Sequence, residues 1–125
     1  EPLLRRIVEN AADSMGAKAT LTFEYFPAPI INDHEDLVRI ARNAATKMYG
    51  TDSLKPFPKM MISEDFAYYM EKVPGVFGLV GSQNKDLGLT AKNHNDHYTA
   101  DESVLKRGAA MYAQFAYDFL EETSE

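Results

Sequence analysis

Cysteine is absent from this 125-residue chain, which excludes disulfides and thiolate metal sites while leaving the redox compartment open. Long apolar runs are absent too: none approaches the ~18 residues that a membrane helix needs. The first residues do not form the charged start and apolar centre of a secretory signal. The expected location is therefore the cytoplasm, with no membrane partner. Basic clusters are also missing. Arg5, Arg6, Lys47, Lys59, Lys106 and Arg107 are scattered and the formal net charge is −6, so a general nucleic-acid binder, which needs grouped cations for phosphates, is excluded. The chain has no phosphate-cradling glycine loop, no H-E-x-x-H helix and no G-x-S-x-G turn, and it carries no internal repeat or low-complexity segment.

What is present is the content of one ordinary domain, with 45% hydrophobic and 26% charged residues, enough for a core in a chain of this length. Leu4, Ile7, Val8, Ala11 and Met15 recur at helical spacing and Gly16 supplies the stop. From Ala19 to Phe26 the period changes to two, with Leu21, Phe23 and Tyr25 on one side, which predicts a half-buried strand. Pro27-Ala28-Pro29 ends it. Asn32 and Glu35 suit a variant capping box for a second helix, whose stripe is Leu37, Ile40, Ala41, Ala44 and Met48 and whose stop is Gly50. Ser63 is the expected cap of a short third helix through Glu71, with Glu64 and Asp65 near its positive end. Val76–Gly81 has the composition of a fully buried strand. Gln83 to Asn95 is a loop. Thr99 and Glu102 make a capping box for the last helix, which buries Val104, Gly108, Met111, Tyr112, Phe115 and Phe119; an acidic tail runs from Glu121 to Glu125. This is an α/β pattern short of strands. The abrupt start, Glu1-Pro2-Leu3-Leu4 with no initiator methionine, reads as a cut through a longer polypeptide.

Chemistry concentrates in Lys92–Glu102, K-N-H-N-D-H-Y-T-A-D-E. His94 sits there in a polar loop, with Asn93, Asn95, Asp96 and Asp101 as local candidates to orient a metal-bound imidazole. One imidazole does not make a site of three or four donors, and a lone loop histidine is more often solvent-exposed. His97 and His34 compete with it, His34 on the solvated side of a first helical turn. Glu64 and Asp65 are available as acid, base or ligand, yet stabilising a helix start explains them without further assumption. Ser63 has no adjacent histidine to activate it. Met60-Met61 and Tyr68-Tyr69 read as packing surface.

Taken together, S-E-D-F-A-Y-Y at Ser63–Tyr69, V-F-G-L-V-G at Val76–Gly81 and H-N-D-H-Y followed by Asp101-Glu102 and Gly108-Ala109-Ala110 resemble the C-terminal end of one family. It is the metal-dependent amidohydrolases that include hippurate hydrolase, aminoacylase-type enzymes, auxin-conjugate hydrolases and related carboxypeptidases. On that match His94 is the metal ligand and His97 falls on a variable position. Asp96 departs from the family's usual proline, and Ile62 replaces the glycine of its Gly-Ser-Glu-Asp-Phe. Asn32-Asp33 resembles the family's return from a smaller inserted domain.

The resemblance implies a two-domain α/β metallohydrolase. Residues 1–31 would be the end of an inserted α+β lid or dimerisation domain, and residues 32–125 the C-terminal half of the metal-binding catalytic domain. It implies a pair of divalent metals (zinc, manganese, cobalt or nickel), a small N-acyl amino acid or peptide substrate, and a homodimer through the lid in the full-length parent. The family's general base and remaining ligands belong to earlier segments that this chain does not match, so no catalytic residue is assigned and the isolated chain is expected to be inactive. The alternative is a non-enzymatic acidic α/β binding or dimerisation module presenting Phe23, Tyr25 and Phe26 on an edge strand.

Overall fold

A computed structural model describes residues 1–25, 28–62 and 64–124. Among them are four α-helices: α1 (Pro2–Ser14), α2 (Glu35–Tyr49), α3 (Phe66–Met70) and α4 (Leu105–Thr123). Single turns of 3-10 helix follow α2 at Thr51–Ser53 and precede α4 at Glu102–Val104.

The centre is the pairing of α2 with α4. Glu35 and Asp36 lie in the first turn of α2 and Lys47 in its last, each sign facing the favourable end of the helix dipole. Ile40 and Ala44, one turn apart, are buried where α2 lies against α4; Ala44 has 0% of its surface accessible. Leu37, Ala41 and Met48 are half-buried beside them, so the stripe read from periodicity is the one used. The helices run in opposite directions. Arg39 near the start of α2 donates both guanidinium arms to Glu122 near the end of α4, at 2.8 and 3.2 Å. Lys47 meets Asp118 at 3.2 Å, and the Tyr49 hydroxyl donates to the Arg107 carbonyl at 3.0 Å. Exposed ion pairs contribute roughly 0–1 kcal/mol each, so they set direction and apolar burial supplies the attraction.

α1 ends as expected. Gly16 has φ 66°, its N–H donates to Asp13 and that of Ala17 donates to Ala12, the paired bonds of a Schellman stop. Beyond it the chain turns back along α1. Arg5 donates to the Leu21 carbonyl at 3.2 Å with its guanidinium 5.8 Å from the Phe23 ring centre, and the Tyr25 hydroxyl donates to Glu1 at 2.6 Å. The Tyr25 hydroxyl and the Arg5 guanidinium hold the Glu1 carboxyl below its usual range.

Several expectations are corrected. No strand forms among the described residues; residues 19–25 and 76–81 make no ladder, and the single antiparallel bridge joins Asn84 and Leu89. Alternation makes a segment able to pair, but a ladder also needs a second backbone alongside. Val76–Gly81 is not buried either, since Leu79 and Val80 are each 55% exposed. The regular structure among the described residues is thus almost wholly helical, without the strands of the expected α/β pattern. Asn32 caps nothing. His34 is the residue at the N-cap of α2, and the Asn32 amide instead donates to the Phe77 carbonyl at 2.9 Å and accepts from the Phe77 N–H at 2.8 Å. One side chain therefore satisfies both backbone groups of Phe77, as a neighbouring strand would.

α4 starts at Leu105 and not at Thr99, with Asp101 accepting from the Ser103 N–H ahead of it. Its face is only half covered, with Tyr112 81% exposed and open space beside Gly108. Glu121 and Glu122 continue the helix and are not a tail. Met60, Met61, Tyr68 and Tyr69 are exposed, as are Leu3, Leu4, Ile7 and Met15 along α1. Phe26, Pro27, Ser63 and Glu125 lie outside the described residues, and with them the end of the predicted strand, the first residue of its proline break, the Ser63 cap and the last tail residue.

The fully covered position on α2 gives the first prediction. Ala44→Leu inserts three heavy atoms where α2 and α4 meet and should lower unfolding free energy by about 1–3 kcal/mol in urea titrations. Asn32→Ala should accelerate hydrogen exchange at the Phe77 amide with little change at the amides of α2.

A candidate ligand loop

The segment between Gly81 and α4 is closed on itself by short polar side chains. Asn84 and Leu89 exchange backbone bonds of 2.9 and 2.8 Å around a turn in which Gly88 has φ 73°. The Asn84 carbonyl oxygen of the side chain accepts from the N–H groups of Asp86 and Leu87, an asparagine-built turn. Its amide nitrogen donates to Asp101 at 2.7 Å. Asp101 in turn donates its own N–H to the Ser82 carbonyl at 2.9 Å. Gln83 reaches the Thr90 carbonyl at 2.6 Å. Residues 82–84 thus hold both ends of the stretch 91–100.

His94 lies within that stretch, exposed, with φ 63°. It is the non-glycine residue with positive φ among those described, a conformation costing about 1–2 kcal/mol that the surrounding loop must over-determine. Three of the local residues expected to orient its imidazole, Asn95, Asp96 and Asp101, meet other groups. Asn95 accepts from the His97 N–H at 2.9 Å, Asp96 lies 3.7 Å from the His97 imidazole, and Asp101 serves Asn84 and Ser103. Tyr98 bonds with the Ser82 hydroxyl at 3.1 Å. His34 is exposed ahead of α2, just outside the first turn in which it was expected. Glu64 accepts from the Phe66 N–H at 2.6 Å, which is the helix-start role. Asp65 is the residue before α3.

Among the described residues no group of three His, Asp or Glu side chains converges on a point that would hold a metal ion. The donor chemistry of His94, an accessible imidazole on a turned-out backbone, fits one position of a metal site, and a complete set is not assembled. Sequence reasoning missed Asn84. The signal was there in N-K-D-L-G, an asparagine opening a polar turn that closes on glycine.

The Asp101 carboxyl is held below the usual aspartate range, first by the Asn84 amide and then by Ser103, with Arg107 adding a smaller push in the same direction. A folded pKa below the unfolded value means that the bond stabilises the loop above the ordinary aspartate value of about 3.9 and is lost as pH falls through the lower, folded value. The loop neck should therefore remain closed at mild acidity and open only in stronger acid. Amide exchange at Ser103 and Asp101 followed from neutral pH downward checks this; opening at the ordinary aspartate value would contradict it.

Comparison with known proteins covers most of this chain. The family model described as "Peptidase family M20/M25/M40" matches residues 6–118. IAA-amino acid hydrolase ILR1-like 5 of Arabidopsis thaliana is 32% identical over 130 residues, covering 99% of this chain and 30% of that protein. N-acetylcysteine deacetylase of Bacillus subtilis is 32% identical over 120 residues, covering 94% and 29%. Thermostable carboxypeptidase 2 of Saccharolobus solfataricus is 28% identical over 120 residues, covering 93% and 29%. The chain thus spans under a third of the length of these relatives. No solved structure gives a significant match.

Proposed function

The chain belongs to peptidase family M20/M25/M40, and from that membership we propose that it is part of a metal-dependent amidohydrolase cleaving the amide bond of N-acyl amino acids or short peptides. The observation that carries this reading is the family match across residues 6–118, which includes the whole His94 loop. The printed names of relatives, an IAA-amino acid hydrolase, an N-acetylcysteine deacetylase and a carboxypeptidase, support that substrate class.

In this reading residues 1–31 are the end of a lid or dimerisation domain, and residues 32–125 are the C-terminal half of the catalytic domain. Two facts support it: α1 lies along its own return segment, and it approaches no other helix among the described residues. The full-length protein is a homodimer through that lid. His94 offers one imidazole to a site that takes zinc, manganese, cobalt or nickel, two ions per active site, with the other donors supplied from outside this chain. Divalent ions held there would supply Lewis-acid chemistry to the amide and an activated water. The role of this chain is to deliver the imidazole and hold its backbone in place. No residue here is assigned as general base. Family membership favours this reading over a non-enzymatic acidic binding module.

In the full-length polypeptide, His94→Ala should weaken zinc binding by at least about 100-fold, since losing even an outer-shell partner costs about 10–100-fold, and should remove hippurate hydrolysis. Unchanged zinc content by metal analysis would refute the ligand role. The 125-residue chain alone should not turn over hippurate with added manganese or zinc; sustained turnover would overturn the assignment of base and remaining ligands to other segments.

A further inference from the structure

We infer that Asn84 is a positioning residue for His94, acting through a clamp closed on Asp101; the inference rests on His94 being a metal ligand. Asn84 does not touch the histidine. It fixes the frame in which the histidine is held. Its backbone pairs with Leu89, its side-chain oxygen takes the N–H groups of Asp86 and Leu87, and its amide nitrogen holds Asp101 at 2.7 Å. Asp101 is tied back to Ser82 and Gln83 to Thr90, so the stretch that carries His94 leaves and rejoins the same three residues.

A loop with free ends would sample many conformations, and a left-handed residue within it would relax to a more populated region. Here the ends are fixed and the left-handed geometry of His94 is kept. Only an asparagine-sized amide meets the demand at residue 84: a carboxylate there has no proton for Asp101, and an apolar side chain serves neither side.

The polarity of the bond can be reversed, which separates positioning from general stability. In Asn84→Asp two carboxylates face each other across the neck. In the double variant Asn84→Asp with Asp101→Asn, the amide is moved to position 101, where its nitrogen donates back to position 84 and its oxygen still accepts from Ser103. In the full-length polypeptide, Asn84→Asp should weaken zinc binding about 10-fold, and the double variant should recover most of that loss. The three-bond coupling between amide and α protons of His94, which reports φ, should change in the single variant and return in the double. If Asn84→Asp fails to fold, Asn84→Ala and the double variant carry the comparison. A single variant with wild-type zinc affinity, or a folded double variant that recovers nothing, overturns the inference. His94→Ala run alongside separates the two readings. If it abolishes zinc binding while Asn84→Asp has no effect, only the clamp is wrong; if it leaves binding intact, the ligand reading has failed.

Discussion

Ala44 is fully covered because α2 and α4 meet over it, and the rest of the molecule is referred to that contact. A small side chain at this turn lets two helices approach, and the charge pairs from Arg39 to Glu122 and from Lys47 to Asp118 settle that they run in opposite directions. Once α4 lies along α2, its N-terminal end has a fixed place. Asp101 sits just ahead of that end, so the loop neck inherits its position from the helix pair.

From there order spreads by polar side chains more than by apolar burial. Ile40, Ala44 and Ala67 are the buried hydrophobic residues among those described. Large apolar groups remain uncovered along α1, at Met60 to Ile62, and at Leu79 and Val80. The chain spans under a third of the length of its curated relatives. Asn32 and Asn84 do the connecting work within the chain. Each offers a donor and an acceptor a few bonds from its own backbone, so one residue supplies what a strand partner would supply elsewhere.

Among the described residues, those that carry the family likeness include no group of three His, Asp or Glu side chains that would hold a metal ion. His94 stands exposed in a loop where Asn84, Asn95 and Asp101 bond to neighbouring groups of the loop. Hydrogen bonds within the loop restrain its backbone, and His94 is carried on that backbone.

Sequence alone determined the helices, the stops at Gly16 and Gly50, the apolar stripe of α2 and the segments that resemble the amidohydrolases. These follow from periodicity, glycine conformation and local spacing, which act within a few residues. Tertiary structure decided that Asn32 would hold Phe77 and not cap a helix, and that the alternating segments would find no ladder. It also decided that Asn84 would reach Asp101. Those outcomes depend on which unpaired backbone or side-chain group comes within bonding distance from far along the chain, and no local pattern contains that information.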